Sequence, residues 1–275
     1  MPTDDVKQED LKIYEDGVKQ KMTSFAKKED ILNLGLIIDN SGSLRHALET
    51  EIALSKGIVR NLVRDDEAFL VRFVTTNKIK TVQDWTSNQT VLNSTLENLF
   101  IEGGQTAIID GIYFSAVKIL ERAKKDISKR FALILITDGE DRDSYYKEVQ
   151  LYDLLKNSDV QIFPIAVNLP AETTPRFGIS PRQRATDFIN RLALKTGGAA
   201  FFVKYSMKSI ELDKGLAQII KKIADELRSQ YIISYTSTNQ NLDGNPRKLI
   251  VQISDNEKGE KRQVFVRESF TVPKY

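Results

Sequence analysis

The chain has 275 residues, 41% of them hydrophobic and 28% charged, with 40 Lys and Arg against 38 Asp and Glu for a formal net charge of +2. That length suits one large α/β domain or a medium domain with a smaller companion, and the near balance of charge withholds the electrostatic footprint that nucleic acid requires. With no cysteine and a single histidine, His46, the chain excludes disulfides, thiolate chemistry and multi-histidine metal sites, so any metal must be held by oxygen, which points to Mg2+, Mn2+ or Ca2+.

The polar N-terminus, MPTDDVKQED, lacks the apolar stretch of a signal peptide. Apolar runs such as FALILI at 131–136 are far too short to span a bilayer, so membrane insertion is not expected. LKIYEDGVKQKMTSF (11–25) predicts a hairpin around Asp16-Gly17, a favoured two-residue turn. From residue 31, short apolar runs alternate with longer amphipathic segments. The strand candidates are 32–39, 67–74, 130–137, 160–167 and 199–203, several of them apolar at consecutive positions, as in strands covered on both faces. Helices are predicted over 44–63, 107–125, 146–157, 182–196 and 207–229. KIKTVQDW (78–85) follows strand 67–74 so closely that the two should pair as an antiparallel hairpin, with Trp85 packing at its end.

This alternation predicts a doubly wound, Rossmann-like α/β fold: a mostly parallel sheet with one antiparallel edge strand. NLPAETTPRFGISPRQR (168–184) reads as a loop, in which Arg176, Arg182 and Arg184 form an ordinary solvated surface. Near the C-terminus, QYIISYT (230–236), RKLIVQIS (247–254) and RQVFVRESF (262–270) are strand candidates separated by turn-rich segments. We therefore expect three parts: an N-terminal β-hairpin segment over 1–30, the α/β domain over 31–229, and C-terminal strands over 230–275. The terminal strands should pair with the N-terminal segment or extend the main sheet, because an isolated hairpin is marginal in water.

Ligands of open α/β sheets bind outside the carboxyl ends of the strands, where the chain parts to either side. Asp39 ends the first core strand, and Ser41 and Ser43 follow it in DNSGS. Asp138 holds the same place after strand 130–137, in TDGED, and Thr106 follows a Gly-Gly pair in EGGQTAIIDG. Three loops thus offer two carboxylates and three hydroxyls, a donor set suited to a hard divalent cation. Ser41 alone could cap the following helix, but capping explains one residue of the three. Gly42, Gly104, Gly139 and Glu140 would form the rim, with Gly103 and Gly104 letting their loop approach the ion. Asp141 and Asp143, with Glu140, read as a solvated acidic edge. His46 lies near Ser43, but no G-x-S-x-G elbow surrounds the serine, so a hydrolase triad is not supported.

Asp39-Asn40-Ser41-Gly42-Ser43 matches the DxSxS motif of von Willebrand factor type A (VWA) domains. Thr106 and Asp138 match the other two elements of their metal-ion-dependent adhesion site (MIDAS), at intervals of 67 and 32 residues. EDLKIYEDGVKQKMTSF, TGGAAFF and QYIISYT resemble a bacterial branch, the acidobacterial VWFA-related proteins, although Arg267-Glu268-Ser269-Phe270 departs from the ending usual there. The resemblance implies an extracytoplasmic or secreted setting, and we expect a mature or truncated form, since no signal peptide is present. It also implies that Ser41 and Ser43 bind the cation directly, and that Asp39 and Asp138 bind directly or through water. Thr106 would alternate between the two modes, coupled to movement of helix 207–229.

The function so implied is cell adhesion or another protein interaction: a partner's Asp or Glu completes the coordination of Mg2+ (or Mn2+ or Ca2+). Neither G-x-x-x-x-G-K-[ST] nor G-x-G-x-x-G occurs, so no nucleotide site is expected. Two alternatives stand beside this non-enzymatic reading: a coupling subunit working with a separate ATPase, and a metal-dependent phosphoesterase. Against the latter, no Lys, His or Arg is placed by sequence near the site.

Overall fold

The chain enters through three short strands, β1 (Leu11–Glu15), β2 (Val18–Gln20) and β3 (Met22–Lys28), in a computed structural model that describes residues 6–28, 31–125, 129–156, 158–169, 180–204, 209–228, 230–257, 259–272 and 274. β1 and β2 form the hairpin expected at Asp16-Gly17, whose φ angles of 47° and 83° suit a tight two-residue turn. The second arm is shorter than its sequence suggested. It breaks at Lys21, and β3 leaves to pair elsewhere.

The main sheet follows: β4 (Leu32–Asp39), β5 (Glu67–Phe73), β6 (Ile79–Thr86), β7 (Arg130–Thr137), β8 (Gln161–Val167) and β9 (Phe201–Val203). Their order is β6-β5-β4-β7-β8-β9, parallel throughout except for β6, which returns antiparallel along β5. β4 and β7 are buried at every position, which is why they read as unbroken apolar runs. Trp85 on β6 packs edge-on against Phe69 at 4.5 Å, beneath the Arg122 guanidinium.

The helices are α1 (Leu48–Val59), α2 (Gln89–Glu97), α3 (Ile108–Ala123), α4 (Glu148–Leu155), α5 (Pro181–Thr196) and α6 (Ser209–Arg228). α1, α2 and α6 cover one face through Leu54, Ile58, Leu92, Leu96 and Ile223; α3, α4 and α5 cover the other through Ile112, Ile119, Leu151 and Ile189. α2 was not expected. It is short and mostly polar, and its only apolar signal is Leu92 and Leu96 one turn apart, beneath an Asn88 side chain that caps Thr90 and Val91. α5 starts at Pro181 behind a Ser180 cap, so Arg182 and Arg184 stand on its first turn and not in a loop; Arg176 lies outside the described residues. No described helix is long and apolar enough to cross a membrane.

β10 (Gln230–Tyr235), β11 (Pro246–Ile253) and β12 (Ser269–Thr271) complete the chain. β10 pairs with β3, and a second small sheet runs β12-β11-β1-β2, so the two chain ends are joined to each other and not to the main sheet. Most of 262–268, expected as strand, is irregular. Arg262 bonds Asp10, and Arg267 reaches the carbonyls of Lys156 and Ser158. Guanidinium bonds hold this strap in place of ladder bonds.

One buried carboxylate fastens these terminal strands. Glu15, only 2% exposed, receives Arg247 Nη1 at 2.7 Å, Ser237 Oγ at 2.7 Å and Tyr235 OH at 2.9 Å. Burial opposes its ionisation, but the bonds from Ser237, Arg247 and Tyr235 outweigh it and hold the group below the ordinary carboxylate range. Glu15→Gln should lower the protection of β1 and β11 amides against hydrogen exchange by roughly 3–5 kcal/mol, the usual consequence of leaving a buried guanidinium unpaired. Because the folded value is depressed, this stabilisation is complete above about pH 5 and is lost as pH falls through the lowered value. Amide protection in wild type should therefore decline on acidification, and protection in Glu15→Gln should respond less.

Candidate metal centre

Asp39 ends the central strand, between β5 and β7, at the point where the connections of the sheet diverge. Its side chain is fully buried. Oδ1 accepts the Ser41 N–H at 2.9 Å and Oδ2 accepts the Thr137 hydroxyl at 2.7 Å. Burial, then the charge of Asp138, pushes its carboxyl up to about 7, against the hydrogen bonds of Thr137 and Ser41. Among the described residues no cationic side chain pairs with it.

Ser41 and Ser43 stand in the loop that follows. Their hydroxyl oxygens lie 3.0 Å apart. Ser41 begins a single 3-10 turn (Gly42–Leu44) yet makes no side-chain cap bond, and α1 starts four residues after that turn, behind Ala47. The capping alternative for Ser41 is thereby removed: its hydroxyl faces another hydroxyl. His46 is exposed in the turn between them, and among the described residues no hydrogen bond joins it to either serine.

Backbone bonds bring in the second loop. Glu102 N–H donates to the Asn40 carbonyl at 3.1 Å, and Ala107 N–H donates to the Val74 carbonyl at 2.8 Å. Gly104 adopts φ +111°, and a Cβ there would stand 2.9 Å from Val74 Cγ1, so the turn needs glycine twice over. A Cβ on Gly42 would lie 3.7 Å from the Gly103 Cα, so the two loops nearly touch. Thr106 is buried, and its carbonyl accepts N–H bonds from Arg142 and Asp143 at 2.8 and 3.0 Å.

Those bonds tie in the third loop. Asp138 is half-buried, and its Oδ1 accepts the Glu140 N–H at 3.2 Å. Gly139 N–H donates to the Thr137 hydroxyl. Asp141, expected as a solvated edge, instead caps α3: its Oδ1 accepts Ile108 N–H at 2.8 Å and Ile109 N–H at 3.2 Å. Asp143 accepts the Thr76 N–H, so it too is structural. Asp110 performs the reverse service, accepting Tyr145 N–H and Tyr146 N–H at 2.8 Å each. Glu140 pairs with Arg142. The expectation that no cationic side chain stands near the site is thus corrected, since Arg142 lies four residues beyond Asp138 and feels its charge.

One feature escaped the sequence reading. Glu51, on the first turns of α1, is 0% exposed, and neither of its oxygens has a hydrogen-bond partner. Its signal was a carboxylate on the apolar stripe of Ala47, Leu54 and Ile58.

The donor set fits a hard cation: hydroxyls and carboxylates gathered at one strand-end crevice, with a buried anion that has no counter-charge among the described residues. No three carboxylate or imidazole groups of the described residues could hold a metal by themselves, so any such site would draw on neutral oxygens as well.

The family model of the von Willebrand factor type A domain matches residues 33–215. Among solved structures, an aerotolerance-related membrane protein from Bacteroides fragilis NCTC 9343 is similar at a TM-score of 0.54 and 19% identity, over 72% of this chain and 100% of that one. BatB from Bacteroides thetaiotaomicron gives 0.51 and 19%, over 70% and 98%. A von Willebrand factor type A protein from Catenulispora acidiphila gives 0.53 and 15%, over 79% and 49%. At these identities the likeness establishes the fold and leaves function to the site. No curated protein matches the chain. On the match over 33–215, the chain belongs to the von Willebrand factor type A domain family, whose members generally mediate protein interactions.

Proposed function

We propose that this protein is a divalent-cation-dependent binding module. Ser41, Ser43, Thr106, Asp39 and Asp138 would hold Mg2+, or Mn2+ or Ca2+, within a rim of Gly42, Gly104, Gly139 and Glu140, and the occupied site captures an Asp or Glu of a partner protein. The observation that carries this reading is the 3.0 Å pair of Ser41 and Ser43 hydroxyls, spent on no helix cap and placed directly after a buried carboxylate without a counter-cation.

Bound, the ion supplies an electrophilic coordination position that exchanges ligands. The protein's part is to keep that position open. Neutral hydroxyls from Ser41, Ser43 and Thr106 donate oxygen without quenching charge, and Asp39, fixed by Ser41 N–H and Thr137, supplies the anion that draws the cation inward. Backbone bonds, with the side chains of Asp141, Asp143 and Asp110, hold the three loops in register.

A phosphoesterase reading draws on one observation, the Arg142 guanidinium at the rim, but that group is already bonded to Glu140. Phosphoester turnover in Mg2+ that disappeared in Asp39→Ala would favour it.

Affinity capture from the native source, run in Mg2+ and in EDTA with wild type, Asp39→Ala and Ser43→Ala, tests the main reading. A partner retained by wild type in Mg2+ and lost at least tenfold in EDTA and in both variants is expected. Retention that ignores all three treatments would refute cation-dependent capture. A separate ATPase recovered with the chain would favour the coupling-subunit alternative.

A further inference from the structure

The least explained group in the molecule is Glu51. It sits on the sheet-facing stripe of α1 with Leu54 and Ile58, where an apolar residue would ordinarily stand, and it is completely enclosed. Neither carboxylate oxygen meets a donor, and among the described residues no Lys or Arg pairs with it. A buried carboxylate without a partner is strongly unfavourable unless something nearby compensates its charge. Glu51 lies on the first turn of the helix that follows the DxSxS loop, and burial, then the like charges of Asp39 and Asp138, push its carboxyl well above the ordinary value. Among the described residues, the charges that act on Glu51 are all of its own sign.

We propose that Glu51 is the buried counter-charge of the cation site: without joining the ligands, its carboxylate strengthens the site's hold on the ion. The inference rests on the cation reading above. Glu51 does not join Asp39 and Asp138 in a three-carboxylate cage, since no such group capable of holding a metal exists among the described residues. It is a positioning residue. A divalent ion between the three loops would offset the repulsion that Asp39 and Asp138 exert on Glu51, and its own attraction for Glu51 would be little screened because the group is shut away from water. The cost of burying the carboxylate then falls on the metal-free protein, and its benefit appears on loading.

The test is a Mn2+ titration by calorimetry, with thermal melting in EDTA, on wild type, Glu51→Gln, Glu51→Met and Ser43→Ala. Glu51→Gln keeps the shape and removes the charge. It should weaken Mn2+ binding by roughly 10–100-fold, the range found when outer partners of metal ligands are removed, and the metal-free variant should melt at or above the wild-type temperature. A purely structural glutamate would give the opposite pattern: unchanged affinity and a lower metal-free melting temperature. Wild-type affinity in Glu51→Gln, with Ser43→Ala still impaired, overturns the role of Glu51 and leaves the cation site standing. No Mn2+ binding by wild type overturns the site itself, and this inference with it. If both Glu51 variants fail to fold in EDTA while wild type folds, Glu51 is a structural group and the inference is likewise overturned.

Discussion

A carboxylate buried at the end of the central strand is the constraint around which the rest of this protein is arranged. Asp39 can neither reach water nor find a cation among its described neighbours, so its charge must be managed by what the adjacent loops bring to it. The doubly wound sheet makes this possible. β4 lies between β5 and β7, parallel to both, so its carboxyl end opens where the connections of the sheet diverge. Three loops then close around the gap through bonds of their own backbones: Glu102 to Asn40, Ala107 to Val74, and Arg142 and Asp143 to Thr106. Asp141 caps α3, whose own first residues offer no cap, and so secures the helix whose start carries Thr106.

Two ways of burying a carboxylate appear in one molecule. Glu15 is enclosed with a guanidinium and two hydroxyls, its charge answered on the spot; it serves to hold the terminal strands together. Asp39 has one amide and one hydroxyl, and the Glu51 oxygens have no hydrogen-bond partner among the described residues. An interior that can supply Arg247 to one acid could have supplied a lysine to the others. The difference follows the position in the fold: the answered carboxylate lies between terminal strands, and the unanswered ones gather where the loops converge. Incomplete compensation is thermodynamically costly in a static scaffold and useful in a site that must attract a positive ion.

Much of this was legible in the sequence, and the exceptions have physical reasons. β4 and β7 were readable because burial on both faces leaves an unbroken apolar run, and β6 because the loop from β5 is too short for a crossover. The DxSxS loop and Asp138 stood out because each follows a strand end, and Thr106 because it follows a Gly-Gly pair at the start of a helix. α2 was hidden because its cap and two leucines carry the whole signal. The strap at 262–268 alternates like a strand, yet long-range guanidinium bonds, which no local pattern encodes, decide its course. Asp141 looked like rim for a related reason: acidic residues in a loop resemble one another until the helix that one of them caps is placed beside it. Glu51 was legible only as a misfit, a charge on an apolar stripe, and a misfit has no meaning until the site behind it is known.

The position of α1 links these local facts to the larger frame. Its first turn carries Glu51, and its last turn presses Gly57 against α6 so closely that a Cβ there would stand 2.2 Å from Ile220 Cδ1. Any shift of the DxSxS loop that moves α1 must therefore be felt at Ile220. The far end of α6 is not free to follow. Arg228 is bonded to the buried Asp66, which also holds the amides of Leu32 and Val63, and Arg130 reaches the Leu227 carbonyl. Asp66 thus ties the last turn of α6 to the foot of the same strand that ends in Asp39. Packing this dense resists graded deformation, so α1 and α6 bear directly on each other where Gly57 meets Ile220.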